Sequence, residues 1–274
     1  MITNILVPTD FSEVATNALK YAVGLAIQSN STIYLLHVKS FPVMDSTFPT
    51  ELYATLIDEM ETISKNGLEK MRSTLLEPSK VKYKLHSVTG FINDEIEKNG
   101  KENEIDLIIM GTTGASGLAE LLVGSNAASV VGRSEIPVLV IPPSAHFTAI
   151  KQILYASDYT EPEFPALTRL MYFADLNDAD ISVIHVKTDY DHYFNAANNF
   201  FVKNKAQLKR ENIKMVESEK GDVADAINDY IENNETDLLV LAKHNRSFFD
   251  RLFHRSLSKR MAFHTKIPLL VLHK

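Results

Sequence analysis

The sequence predicts an α/β protein built as two tandem domains, each a doubly wound, mostly parallel sheet of five strands in the Rossmann-like manner. Two observations carry this reading: an internal repeat that runs the length of the chain, and an alternation of short apolar runs with amphipathic helical stretches. The repeat is visible directly. Ile2–Ser12 (ITNILVPTDFS) resembles Ile150–Thr160 (IKQILYASDYT) at a shift of 148 residues, and the run ending His37-Val38 meets the run ending His185-Val186 at the same shift. From Gly90 onward the shift is 131: Gly90 meets Gly221, Asp106–Met110 meets Asp237–Leu241, and Ile136–Val140 meets Ile267–Val271. The difference of 17 residues places one insertion between Val38 and Gly90.

The elements follow in order. In the first copy, β-branched runs at about 2–8, 32–38, 82–88, 105–110 and 136–141 read as buried strands. Ser12 is a candidate N-cap for a helix through about residue 29, with Ala15, Ala18, Leu19, Ala22 and Leu25 on one face. Helical patterns at 50–76, 91–103 and 125–134 fill the remaining gaps. Parallel neighbours need such crossovers. The second copy places strands at about 151–156, 180–186, 213–218, 237–241 and 267–272. Pro142–Ala149 is a short linker, so the expected domains are 1–144 and 150–274. The apolar stripe of the insertion (Phe41, Phe48, Leu52, Tyr53, Leu56, Ile57, Met60) is expected to pack in the core or between domains, with a dimer surface as the alternative.

Composition narrows the class. A chain of 274 residues with 45% hydrophobic and 23% charged residues is in the ordinary globular range. It has no cysteine, which excludes disulfides and thiolate metal sites and favours a reducing compartment. The N-terminus enters an apolar run without a basic region, arguing against a cleaved signal peptide, and no apolar run approaches the roughly 20 residues that span a bilayer. A net charge of -7 argues against general nucleic-acid binding. The expected setting is the cytoplasm.

Ligands of open α/β sheets bind beyond the carboxyl ends of the strands, where strand order reverses. Asp10, Val38 and Met110–Gly114 converge there in the first copy. The spacing is Gly111, two residues, Gly114, nine residues, Gly124-Ser125. Gly111 and Gly114 can take positive φ and let a ligand approach the backbone. Gly124 and Ser125 open a helix, where free N–H groups and the helix dipole favour an anion, and the Ser125 hydroxyl can donate to a phosphate oxygen. Spacing alone leaves a structural loop with Ser125 as a helix cap equally open.

The glycine spacing, the following Ile136–Val140 strand, the opening Ile5–Asp10 and the strand ending His37-Val38 together resemble the universal stress protein family. The resemblance covers essentially the whole chain, as two family domains in tandem. Members with this motif bind ATP. The resemblance therefore implies that Pro8, Thr9, Asp10 and the backbone around Val38 hold adenine and ribose. Gly111, Gly114, Gly124, Ser125 and Asn126 would cradle the phosphates, with Met110 and Thr112 beside them in the nucleotide-binding set. Ala115 stands where such proteins often carry a basic or polar residue, so AMP or ADP is an alternative ligand and a role for Mg²⁺ is left open. The resemblance also implies that the last strands, Ile136–Ile141 and Ile267–Leu272, pair antiparallel about a pseudo-two-fold axis. Its functional implication is a nucleotide-responsive stress-response protein with an unidentified protein partner. A slow ATPase, a ligand-free interaction module and a further dimer of tandem chains stand as alternatives.

The second copy has lost the loop. At the shift of 131, Gly111 becomes Ala242, Gly114 becomes Asn245 and Gly124 becomes Arg255, while Ser125 survives as Ser256. Lys243, His244, Arg246, Arg251, His254, Arg255, Lys259, Arg260, His264 and Lys266 crowd the same stretch with Asp250 as the one acid. This basic patch is either a solvated face balanced by the protein's own acids or a site for an anion or acidic partner. His37 and His185 are expected to be satisfied core histidines rather than ligands.

Overall fold

The computed structural model describes residues 1–41, 50–112, 125–157, 164–186, 213–219, 223–242 and 266–272. The first half runs β1 (Asn4–Pro8), α1 (Glu13–Ser29), β2 (Thr32–Lys39), α2 (Thr50–Met71), a π-helical turn (Arg72–Leu76), α3 (Glu77–Ser79), β3 (Lys82–Thr89), α4 (Ile92–Glu102), β4 (Leu107–Gly111), α5 (Ser125–Arg133) and β5 (Val138–Ile141). The second runs β6 (Gln152–Ala156), α6 (Phe164–Asn177), β7 (Asp180–Val186), β8 (Ile213–Ser218), α7 (Val223–Asn233), β9 (Leu238–Ala242) and β10 (Leu269–Leu272).

The ten strands form one sheet in the order β3-β2-β1-β4-β5-β10-β9-β6-β7-β8. Each half has the doubly wound order 3-2-1-4-5, with β1 pairing parallel to both β2 and β4 and β6 to both β7 and β9. The halves meet at β5 and β10, which pair antiparallel, Leu139 opposite Leu270. The antiparallel junction anticipated for the last strands is thus present. It reverses strand direction, so the carboxyl edges of the two halves lie on opposite edges of the sheet.

Alternation along the strands sends side chains to two cores. Ile5, Val7, Ile33, Leu35, Leu107 and Ile109 join α1, α2 and α6 on one face. Leu6, Leu36, Ile108, Met110 and Val140 join α4, α5 and α7 on the other. Both cores run across the junction. Each fully buried Leu or Ile contributes about 1.5–3 kcal/mol of transfer free energy.

The repeat also explains a polar tie. Asp106 Oδ2 accepts from Thr3 N at 2.7 Å and Asn4 N at 3.0 Å. Its counterpart Asp237 Oδ2 accepts from Lys151 N at 2.7 Å and Gln152 N at 2.9 Å. In each half one carboxylate fixes the start of the central strand. The linker is held too: Asn17 Nδ2 of α1 donates to Ala145 O at 2.8 Å and Pro142 O at 3.2 Å. Phe147 sits edge-on to Tyr21, ring centroids 5.2 Å apart.

Two sequence expectations change in detail. The helix read over 50–76 leaves α-geometry at Met71 and continues through the π-turn. Pro78 has no N–H to return to the carbonyl four residues back, and Lys80 ends the segment at φ 58°. The apolar stripe of the insertion is buried only in part. Leu68 and Met71 enter the core, Leu56, Ile57 and Met60 are half-buried, and Leu52, Tyr53 and Phe41 are exposed. Phe48 lies outside the described residues.

Candidate functional site

The carboxyl edge of the first half is built from the ends of β1, β2 and β4 and the starts of α1 and α5. At β1, Thr9 N donates to Leu36 O at 2.8 Å, which carries the β1–β2 ladder one residue past Pro8. Thr9 is buried, and its hydroxyl accepts from Phe11 N at 3.0 Å. Asp10 is exposed and folds a tight turn, Oδ1 accepting from Ser12 N at 3.0 Å. Ser12 then caps α1, its Oγ accepting from Ala15 N at 3.1 Å, as the sequence reading expected. Phe11 between them has φ 65°, a left-handed conformation uncommon for an aromatic residue.

That backbone conformation places the Phe11 ring 4.3 Å, centroid to centroid, from the His37 imidazole. A Cβ on Gly67 of α2 would come within 2.6 Å of the same ring. His37 Nδ1 lies 2.8 Å from Thr9 O, and because a carbonyl can only accept, Nδ1 carries the proton. His185 repeats the arrangement on Ser157 O at 3.0 Å. Both histidines therefore tie the end of one strand to the end of its neighbour; His185 is buried, in keeping with a satisfied core residue, whereas His37 is half-buried. Lys39 points to the same face, where it is buried and ion-paired to Glu61 of α2. Its charge is committed to that partner on the α2 face, opposite the face that carries α4 and α5.

Val38 turns toward α4 and α5 and is half-buried. Met110, on the same face, is buried. Gly111 ends β4, and Thr112 N donates to Ile141 O at 3.2 Å, extending the β4–β5 ladder. The backbone of Gly111 is not left-handed. The requirement for glycine comes from α1: a Cβ there would meet Val14 Cγ1 at 2.5 Å and Val14 O at 3.1 Å. The first turn of α1 is thus seated directly on the end of β4, which narrows the edge at the point where strand order reverses.

Ser125 and Asn126 open α5 and are exposed, while Ala127, Val130 and Val131 bury its inner face. Pro8, Thr9, Asp10, Val38, Met110, Gly111, Thr112, Ser125 and Asn126 are all at or beside this carboxyl edge. Gly114 and Gly124 lie outside the described residues, as do the basic patch residues 243–265 of the second half; Lys266 is exposed. Among the described residues no cluster of His, Asp and Glu suits a metal ion, and no helix is long and apolar enough to cross a membrane. Sequence reading missed Phe11, Gly67 and Val14, which shape the edge by contact, since no motif marks them.

The family model described as universal stress protein matches residues 1–142 and again 149–273. Universal stress protein Slr1230 of Synechocystis is 27% identical over 290 residues, covering 97% of this chain and 98% of its own. Universal stress protein MJ0577 of Methanocaldococcus jannaschii is 32% identical over 154 residues, covering 52% of this chain and 95% of its own. Among solved structures, a universal stress protein from Archaeoglobus fulgidus aligns over 98% of both chains with a TM-score of 0.76 at 20% identity, a likeness of fold.

Proposed function

The chain belongs to the universal stress protein family, and from that premise we propose that its first half, residues 1–144, binds an adenine nucleotide and its second half, residues 150–274, does not. The observation that carries the reading is an asymmetry between matched positions. β4 and β9 occupy equivalent places in the sheet, yet one ends in Gly111 and the other in Ala242. Beyond those residues the sequence keeps Gly114 and Gly124 in the first half and substitutes Asn245 and Arg255 in the second. Side chains at the positions of Gly114 and Gly124, above all the long Arg255, would obstruct a phosphate path.

In this reading Pro8, Thr9, Asp10 and the Val38 backbone hold the nucleoside. Met110, Gly111, Thr112, Gly114 and Gly124 line the phosphate path, and the N–H groups of Ser125 and Asn126 meet phosphate at the α5 N-terminus. The side chains that fit this role are exposed Ser125 and Asn126, which no apolar packing claims. ATP is the ligand proposed, with ADP or AMP as weaker candidates. Asp10 Oδ1 accepts from Ser12 N in the turn before α1, and its proposed role is in binding the nucleoside. The protein acts in the cytoplasm as a nucleotide-responsive regulator of stress physiology, ATP stabilising the conformation that a protein partner reads.

Calorimetric titration with Mg-ATP tests the stoichiometry. One nucleotide per chain is expected; two per chain, or none, contradicts the proposal.

A further inference from the structure

Asn93 sits in the first turn of α4, facing α5 across the seam between the two helices. Its Nδ2 donates to Ser129 Oγ at 2.9 Å. Ser129 is one turn, about 6 Å, inside the N-terminus of α5. Asn93 Oδ1 is buried in that seam, and no donor reaches it among the described residues. Leaving a buried amide oxygen without a hydrogen bond is destabilising, so its retention calls for a reason.

The repeat supplies one. At the shift of 131, Ile92, Asn93 and Ile96 meet Val223, Ala224 and Ile227. The apolar positions that seat the helix are kept in both halves, with Ile96 and Ile227 buried in the same core. The polar residue is present only in the half that keeps the glycine loop. Ala224 shows that an α4-type helix packs at this position without any amide, and Ser129 likewise has no hydroxyl counterpart, its match being Arg260.

We propose that Asn93 is a ligand-contacting residue of the first half, its Oδ1 accepting a hydrogen bond from an N–H or O–H donor on the nucleoside part of the bound nucleotide. This rests on the nucleotide reading given above. α4 and α5 both start at the carboxyl edge, on the face that Val38 and Met110 share. A phosphate at the α5 N-terminus offers only acceptors, whereas a base amino group or a ribose hydroxyl offers the donor that Oδ1 lacks. A nucleotide whose phosphates lie at Ser125 would then present its nucleoside to Asn93.

The test titrates wild type, Asn93→Ala and Ser129→Ala with ATP, with ITP, which lacks the base amino group, and with 2′- and 3′-deoxy-ATP. Asn93→Ala copies the second half's residue, and the melting temperature of each unliganded variant confirms that it folds. Asn93→Ala is expected to weaken ATP about 3- to 10-fold, and Ser129→Ala by less. Wild type should also discriminate against one analogue class by a similar factor, and that discrimination should vanish in Asn93→Ala. Loss against ITP identifies the base amino group as the donor, and loss against a deoxy analogue identifies the sugar. Equal ATP affinity in Asn93→Ala and wild type overturns the assignment. So does a loss that is uniform across all ligands and reproduced by Ser129→Ala, the signature of a helix–helix tie alone. Wild type that binds no nucleotide overturns the parent reading together with this one.

Discussion

Gly111→Ala puts one methyl group where the structure has the first turn of α1. The new Cβ would lie 2.5 Å from Val14 Cγ1, about 1 Å inside the separation at which two carbons attract. Val14 cannot turn aside cheaply, because a β-branched residue in a helix has one strongly preferred rotamer. Even with its side chain moved, the Val14 carbonyl oxygen stands at 3.1 Å and its carbon at 3.2 Å, both backbone atoms. Overpacking of this kind costs about 1–3 kcal/mol. For a chain of this size that corresponds to a fall in Tm of roughly 2–10 °C. Urea unfolding should show a lower midpoint with an unchanged slope. The structure also identifies the partner: Val14→Ala removes Cγ1, so the double variant should recover much of the loss, a coupling of about 1 kcal/mol. A Gly111→Ala protein that melts within about 1 °C of wild type would refute the reasoning. Failure of Val14→Ala to rescue would refute the assignment of the clash.

Other consequences follow from the same contacts. Asp106→Ala removes one oxygen that serves three donors, Thr3 N, Thr3 Oγ1 and Asn4 N, and should destabilise by about 2–3 kcal/mol; Asp237→Ala should act alike in the second half, and denaturant unfolding that left both variants unchanged would contradict the shared role. Burial, and secondarily the charge of Asp237, holds the Tyr21 phenol above its ordinary pKa. Tyr21 therefore keeps its proton in the folded state while the unfolded chain loses it, so its stabilisation is complete below about pH 10 and is lost as pH rises beyond that. Tyr21→Phe should flatten the alkaline fall in stability, and parallel curves for variant and wild type would count against it. A fragment of residues 1–148 uncovers the outer edge of β5 and should self-associate in sedimentation, whereas a monodisperse monomer would show that the edge is protected.

The fold was legible because its signals are local and repeated. Runs such as Ile5–Val7 and Leu107–Ile109 are too apolar for anything but strands buried on both faces, and a second copy at a constant shift removes the ambiguity of each single run. The Ser12 cap was equally legible, since one hydroxyl at a helix start has one common use. The site was legible only at its glycines, and even there the reason differs. Gly111 reads from sequence as a residue freed for a ligand, while in the structure it is first a residue cleared for Val14. Phe11 was invisible because its left-handed φ is imposed by the Asp10 turn and by stacking on His37, neither of which a motif encodes. Asn93 looks like any polar residue on a helix until its position between α4 and α5 shows an oxygen with no donor. The exposed Leu52 and Tyr53 mark the opposite failure, where an apolar stripe outruns the core that buries its far end.

The central claim is that the first half binds nucleotide through a loop the second half has lost, and thermal unfolding with and without Mg-ATP tests it most directly when run beside Gly124→Arg, which writes the second half's residue into the first. At 100 times its dissociation constant ATP should stabilise wild type by about 2.7 kcal/mol, a rise of several degrees in Tm. The account predicts that rise in wild type and its absence in Gly124→Arg, with equal Tm for the two proteins when no nucleotide is added. An equal rise in both, or none in either, would contradict it.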